Sequence, residues 1–184
     1  MKNKVCNLST YTFFEGEKIL IDTNIWIYLF PPPGNTQANY VRNYSKAFQR
    51  LIKAKASPVL DSIILSEYLN SYCRIEWEGS YKTAYPVFKN FRKSKDFTGV
   101  SATASAFARQ IVRLCTTHET AANELDLHWS IKCFESGLLD FNDAILIDIC
   151  QKRGLKLLTN DADFRSGGIE ILTINSKLLQ APWQ

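Results

Sequence analysis

Short apolar runs alternate with longer amphipathic stretches along this chain. The runs predict four β-strands, at 18–21, 58–60, 155–159 and 169–174. Helical spacing of apolar residues predicts helices over 37–55, from Asp61 or Ser62 to Glu76, and one whose body is 144–150. The last of these is apolar nearly all round, so we expect it to be buried, with Asp140 at its start and Gly154 at its end.

The middle of the chain, about 77–137, carries helical patterns such as 101–116 and 120–135 but no convincing alternating strand. We therefore expect a helical region there. Strands separated by helices are typical of an α/β fold with three layers, in which helices flank a central, mostly parallel sheet. Such folds bind ligands outside the carboxyl ends of their strands. Asp22 and Asp161 each follow an apolar strand and are expected at that edge.

Composition narrows the class of protein. The chain has 184 residues, of which 46% are hydrophobic and 22% charged, which is typical of one globular domain. Its apolar runs are far shorter than a membrane-spanning helix requires, and its first residues lack the apolar core of a secretory signal, so we expect a cytoplasmic protein that does not enter a membrane. The 5 cysteines match no zinc or redox spacing and are expected to be reduced thiols.

Charge is unevenly distributed, although the net charge is only +4. Residues 40–59 and 81–95 contain basic residues interleaved with aromatic ones and no acidic residue, whereas 119–148 is rich in carboxylates. A chain with such segregation can bring a polyanion to an acidic centre, but charge runs of this kind are usually an ordinary solvated helix face. The candidate polyanion contacts are Arg42, Lys46, Arg50, Lys89 and Arg92.

Four carboxylates form the candidate centre: Asp22, Glu67, Asp143 and Asp161. Each also has a local explanation, as a helix cap, a solvated glutamate or a turn residue. Together, clustered carboxylates repel one another and stay ionised only beside a cation, and hard oxygen ligands suit Mg²⁺ or Mn²⁺. An ion held there can activate water and orient a phosphate, so the pattern predicts hydrolysis of a phosphodiester.

Sequence motifs in the same regions resemble the PIN domain family, the nucleases that include VapC-type toxins. The resemblance lies in residues 19–24 (ILIDTN), 63–69 (IILSEYL), 140–144 (DFNDA) and 157–164 (LLTNDADF). The last motif is the most specific, because Thr-Asn-Asp-x-Asp-Phe follows an apolar strand and a buried helix that begins with Asp-Ala.

The resemblance implies a PIN-like fold and cleavage of RNA that depends on Mg²⁺ or Mn²⁺ and leaves a 5′-phosphate and a 3′-hydroxyl. It implies that the four carboxylates are both catalytic residues and metal ligands. The accessory residues that it implies are Asp163, Thr159, Asn24 and, as a supporting acid or a helix cap, Asp140. It further implies a small antitoxin protein as partner and a homodimer.

Two other functions stay open. A PIN fold whose acidic cluster is inert would bind RNA or a protein without cutting. A phosphatase of the haloacid dehalogenase type needs a second aspartate two residues after the first, and here that position is Asn24. The expected organisation is an N-terminal extension, 1–17, followed by a single PIN-like nuclease domain, 18–184, with the helical region 77–137 inside it.

Overall fold

The computed structural model describes residues 1–33, 38–118 and 122–180. The strands in these ranges are β1 (Lys4–Asn7), β2 (Lys18–Ile21), β3 (Ser57–Asp61), β4 (Thr116–His118), β5 (Lys156–Leu158) and β6 (Glu170–Thr173). The α-helices are α1 (Thr23–Leu29), α2 (Ala38–Lys53), α3 (Ser62–Glu76), α4 (Phe88–Phe91), α5 (Asp96–Leu114), α6 (Leu127–Glu135), α7 (Phe141–Arg153) and α8 (Ser176–Leu179). A π-helical turn, Trp77–Tyr81, continues α3, and a 3₁₀ turn, Ala122–Glu124, precedes α6.

The strands form one sheet in the order β1-β6-β5-β2-β3-β4, and every strand pair in it is parallel. In the central strand β2, Leu20 pairs with Val59 of β3 on one side and with Leu157 of β5 on the other. Central strand residues on both faces are buried, as expected when helices cover both sides of a parallel sheet. The three-layer α/β fold predicted from the sequence is confirmed.

The connections diverge between β2 and β5. From β2 the chain proceeds outward to β3 and β4, and it then returns to the other side of β2 to form β5 and β6. In open α/β sheets such a switch point leaves a crevice beyond the carboxyl ends of the two strands. Asp22 and Thr159 are the residues that follow β2 and β5 at this point.

Local chemistry explains where the main helices begin and end. The carboxylate of Asp61 accepts a hydrogen bond from the backbone N–H of Ile63 at 3.0 Å and caps α3. The body of α7 is buried as predicted, and this helix ends at Gly154, whose φ of +61° lies in the left-handed region that glycine adopts easily.

Two edge strands were not predicted from the sequence. β1 lies within residues 1–17, expected to be an extension, and it pairs with β6; β4 lies within 77–137, expected to be helical, and it pairs with β3. Both are only three or four residues long, and β1 is half exposed, so neither carries a clear apolar pattern. The predicted helix starts at Gln37 and Thr120 lie outside the described residues.

The segment before β2 is tied to the rest of the molecule by two basic side chains. The guanidinium of Arg50 in α2 donates to the backbone carbonyls of Leu8 at 2.6 Å and Tyr11 at 3.1 Å. The Nζ of Lys156 forms ion pairs with Glu17 at 2.6 Å and Glu170 at 3.1 Å. Residues 1–17 are thus packed onto the sheet.

Across 1–33, 38–118 and 122–180, no helix is both long and apolar enough to cross a bilayer. All five cysteines are free thiols, which agrees with the prediction from their spacing.

Candidate active site

Asp22 lies at the carboxyl end of β2, at the centre of the sheet edge. It occupies the N-cap position of α1 but makes no side-chain capping hydrogen bond. Instead its Oδ2 accepts from the Oγ1 of Thr159 at 2.6 Å and from the Nδ2 of Asn24 at 2.5 Å. The side chain is buried, so these two neutral donors fix the orientation of the carboxylate.

Thr159 and Asn24 also link the ends of β2 and β5. The Oγ1 of Thr159 accepts from the backbone N–H of Asp161 at 3.0 Å, and the Oδ1 of Asn24 accepts from the backbone N–H of Asn160 at 3.0 Å. Both residues were predicted as accessory groups, and they set the loop that carries Asp161 against Asp22.

Sequence reasoning missed a second set of contacts that holds this loop. The hydroxyl of Tyr44, on the buried side of α2, donates to the Oδ1 of Asn160 at 2.8 Å. The Nδ2 of Asn160 donates to the hydroxyl of Tyr28 at 3.2 Å, and the Nδ2 of Asn175 donates to the carbonyl of Asn160 at 2.6 Å. Only the position of Asn160 inside the 157–164 motif could have indicated this role.

Glu67 reaches the site from α3 and is half buried. Its Oε2 accepts from the Oγ1 of Thr23 at 3.1 Å, and the same hydroxyl lies 3.4 Å from the carbonyl of Ile64. Burial raises the pKa of Glu67, the hydrogen bond from Thr23 opposes this rise, and the charges of Asp140 and Asp161 add to it. Thr23, which follows the first aspartate in the motif, is another positioning residue that the sequence did not single out.

Asp143 lies in the first turn of α7, and the charges of the other acids all affect its pKa. Burial comes first among the causes that raise the pKa of Asp143 to about 8, followed by the charges of Asp22, Asp161, Asp140 and Glu67. The pKa of Asp22 is raised to about 6, chiefly by burial, while Thr159 opposes the rise and Glu67 and Asp161 contribute to it. The charges of the four predicted carboxylates therefore act on one another.

The two additional acids differ from each other. Asp140 occupies the N-cap position of α7 without a side-chain capping hydrogen bond, and its charge raises the pKa values of Asp143 and Glu67. Asp163 is exposed, and its backbone N–H donates to the Oδ1 of Asp161 at 2.9 Å. Of the two, Asp140 is the one whose charge acts on the site.

The chemistry of this donor set fits a hard divalent cation. Burial and the charges of neighbouring carboxylates are the leading causes that raise the pKa values of Asp22, Glu67 and Asp143. Buried carboxylates of this kind stay ionised when a cation lies between them. In the described ranges, however, no three His, Cys, Asp or Glu side chains are arranged as a metal-binding group.

Two of the predicted polyanion contacts on α2 line a cleft that contains none of the four acids. Lys46 and Arg50 line a cleft of about 530 Å³ with Leu8, Ser9 and Ile174, near the carboxyl ends of β1 and β6. The guanidinium of Arg50 is engaged by backbone carbonyls, as described above. Arg42 is exposed on the same helix.

Lys89 and Arg92 are in a second cleft, between α3 and α4. This cleft has a volume of about 580 Å³ and also contains Asn70 and Arg74 of α3. One wall of this cleft is formed by α3, the helix that carries Glu67. The cleft on α2 is instead bordered by Leu8 and Ser9 of the N-terminal segment.

Comparison with known proteins gives a family and a fold. Residues 19–169 match the family model described as PIN domain. Among solved structures, the chain is similar to that of VapBC2 from Rickettsia felis bound to a DNA fragment from its promoter. The two share 15% sequence identity with a TM-score of 0.54, and the match covers 84% of this chain and 98% of that chain. It is also similar to PAE2754 from Pyrobaculum aerophilum, at 17% identity and a TM-score of 0.46, over 91% and 97% of the two chains. A search of curated proteins finds no match.

Proposed function

This chain belongs to the PIN domain family, and on that premise we propose that it is an endoribonuclease that hydrolyses RNA phosphodiester bonds with the help of Mg²⁺ or Mn²⁺. The observation that supports the proposal is that Asp22 and Asp161, held by Thr159 at the switch point of the sheet, act together with Glu67 to raise the pKa of Asp143. Members of this family are generally nucleases, which supports hydrolysis over simple binding.

The four carboxylates would hold the ion. When bound, it supplies Lewis acidity toward water and the phosphate oxygens, so no side chain has to act as nucleophile. Thr159 and Asn24 keep the carboxylate of Asp22 in one orientation, and Thr23 does the same for Glu67. Such supporting hydrogen bonds preorganise the ligands before substrate arrives.

The choice of RNA rests on the family and on the basic surfaces near the site. Arg42 and Lys46 on α2 and Lys89 and Arg92 beside α3 are proposed to meet phosphates, and the net charge of +4 favours a polyanion. We assign Arg50 a smaller part in this contact, because its guanidinium already donates to backbone carbonyls of the N-terminal segment.

The direct test is cleavage of a labelled single-stranded RNA in the presence of Mn²⁺, Mg²⁺ or a chelator. We expect cutting with either ion and none with the chelator, and products that carry a 5′-phosphate and a 3′-hydroxyl. Asp22→Asn and Asp161→Asn should abolish cutting. Glu15→Gln is the matched control, because Glu15 is a surface carboxylate whose side chain is 74% exposed, and it should cut like the parent.

The alternative functions predict different results in this assay. A protein that binds the RNA but cuts it with neither ion is the inert binding module. Release of phosphate from small phosphoesters would indicate the phosphatase, which the structure disfavours because the side chain of Asn24 is engaged by Asp22, Thr159 and the Asn160 backbone.

We also propose a protein partner of the antitoxin kind that binds beside the acids. VapBC2, which shares the fold, is a two-component assembly by its name. Exposed apolar side chains on and just beyond α6 recur at helical spacing: Leu127, Ile131, Phe134 and Leu138. Two of them, Phe134 and Leu138, line a cavity that also contains Asp140 and Asp163. A partner bound to this apolar surface could therefore cover the site. Size-exclusion chromatography of the chain alone tests the homodimer that the resemblance implies. The same measurement after co-expression with the small protein encoded by a neighbouring gene tests the partner.

A further inference from the structure

A basic cleft flanks the outer side of α3. Its lining includes four cationic side chains together with an amide and an aromatic ring: Arg74, Lys89, Arg92, Lys93, Asn70 and Phe88. No carboxylate lines it, and in the described part of the chain none of the four cations forms an ion pair. Four positive charges around one concave surface that no carboxylate lines attract an anion.

The cleft is reached along the face of α3 that carries Glu67. Glu67, Asn70 and Arg74 are three and four residues apart on α3 and therefore share one face of the helix. At 1.5 Å per residue, Arg74 lies about 10 Å along the helix axis from Glu67. A strand that leaves the acidic site along this face would reach the cations of the cleft.

A smaller, more apolar crevice adjoins the cleft. It has a volume of about 160 Å³ and shares Asn70, Phe88 and Arg92 with the cleft. Leu69 and Phe97 contribute apolar wall, and the half-buried hydroxyl residues Ser101 and Ser105 of α5 also line it. Cations beside an apolar surface with a few hydrogen-bonding groups match a nucleotide, which has a charged phosphate and a flat base with polar edges.

We propose that the cleft and the crevice together form a subsite for one unpaired nucleotide of the RNA strand that extends from the acidic centre. The phosphate binds among Arg74, Lys89 and Arg92, and the base enters the crevice against Phe88. A base held in a duplex cannot enter such a crevice, so the subsite selects single-stranded RNA. This inference rests on the proposed function, because it names the substrate class of the same site.

The cleft on α2 is the weaker candidate for this role. There, Arg50 donates to the carbonyls of Leu8 and Tyr11, and its guanidinium also lies 5.8 Å from the ring centre of Phe13. By contrast, the cations of the α3 cleft make no ion pair in the described ranges, and only Arg74 stacks, with its guanidinium 4.8 Å from the ring centre of Phe88.

The first test measures binding without cutting. The 184-residue chain is titrated, in chelator, into a fluorescent single-stranded RNA of ten nucleotides, and anisotropy is followed at several salt concentrations. The variant Lys89→Glu/Arg92→Glu should bind about tenfold more weakly or worse, with a salt dependence shallower by about 0.7 per lost phosphate contact. The control Lys2→Glu/Lys18→Glu makes the same change of charge at exposed residues by the amino ends of β1 and β2, at the opposite edge of the sheet.

The control should keep its affinity within about twofold, since overall charge acts weakly at a distance in salt. Equal losses in both variants, or no loss in the cleft variant, would overturn the subsite. Circular dichroism melts of both variants verify that each is folded before binding is compared.

The second test concerns the base. An oligomer with the same phosphates but abasic sugars should bind at least about fivefold more weakly than the RNA, and a duplex of the same length should also bind more weakly. Equal affinity for all three would overturn the base-binding part of the proposal.

Failure of the subsite and failure of the nuclease proposal give different results. If the parent cuts RNA with neither ion, but the cleft variant alone loses affinity for it, the subsite stands and the nuclease proposal fails. If the parent cuts RNA and the cleft variant binds it as well as the parent, the nuclease proposal stands and the subsite is wrong.

Discussion

Thr159 illustrates how one neutral side chain organises charged neighbours. Its hydroxyl donates to Asp22 and accepts from the backbone N–H of Asp161, so a single group sets two of the four carboxylates relative to each other. Valine has nearly the same shape but can do neither. The geometry of the acids therefore depends on a residue that carries no charge.

Replacing Thr159 with Val should lower kcat/KM for RNA cleavage by about 10- to 100-fold, the usual effect of losing a hydrogen bond that orients a metal ligand. Thr159→Ser, which keeps the hydroxyl, is the control and should retain most of the activity. Steady-state cleavage rates at fixed Mn²⁺ measure both. A valine variant that cuts like the parent would show that the hydroxyl does not position the acids.

Asp143 is held in a site that disfavours its own charge. Its pKa is raised to about 8 by burial and by the surrounding carboxylates, so in the absence of a cation the folded protein binds a proton there more tightly than the unfolded chain does. The stabilisation that comes from this proton is complete below the ordinary pKa near 3.8 and is lost as the pH rises through about 8.

In chelator, Asp143→Asn should therefore stabilise the protein at pH 9, by about 1–2 kcal/mol, a value kept small because Asp143 is only partly buried and solvent screens its charge. The variant should also lose RNA cleavage. Urea denaturation at pH 5 and pH 9 measures the effect, and the gain should shrink at pH 5. A loss of stability at pH 9 would mean that the ionised carboxylate is favourable where it lies.

At the scale of elements, residues 1–17 are held by a charged cluster at the amino ends of the strands. Lys156, the first residue of β5, pairs with Glu17 and Glu170, and its Nζ lies 5.0 Å from the ring centre of Tyr11. The side chain of Glu17 is only 2% exposed. This cluster joins the N-terminal segment, β5 and β6 into one unit.

Lys156→Met should destabilise the protein by about 2–4 kcal/mol, because the buried carboxylate of Glu17 loses its cation. The double variant Lys156→Met/Glu17→Gln also removes the unpaired charge of Glu17 and should recover part of the lost stability. Urea denaturation at pH 7 gives both values. If the single variant were as stable as the parent, Lys156 would not be what retains the N-terminal segment.

Sequence patterning predicted the central strands and helices such as α2, α3 and α7, and it missed the two edge strands. The central strands and the body of α7 consist mainly of buried apolar residues, so their composition indicates them. The edge strands β1 and β4 depend on pairing with β6 and β3, and such long-range pairing leaves little local pattern.

The site divides in the same way. Aspartates directly after strands could be located from the sequence, because the edge of a parallel sheet is a general ligand site. Tyr44 and Asn160 could not, since their roles arise only when α2 packs over the end of β5. The contact between Thr23 and Glu67 likewise requires α1 and α3 to meet.

For the whole molecule, strand order creates the function that we propose. Asp22 and Asp161 are far apart in sequence, but β2 and β5 are neighbours in the sheet, and α3 and α7 carry Glu67 and Asp143, whose charges act on the same group of acids. Because these four side chains repel one another, the proposed function requires that together they bind a divalent cation.

Binding of Mn²⁺, followed by calorimetry and by the electron paramagnetic resonance signal of the free ion, measures that requirement directly. The parent chain should bind Mn²⁺ in competition with Mg²⁺. Asp22→Asn and Asp161→Asn should each weaken binding by about tenfold or more, whereas Glu15→Gln should not. If the parent bound no Mn²⁺, or if all three variants bound it as the parent does, the acids would not form a shared metal site.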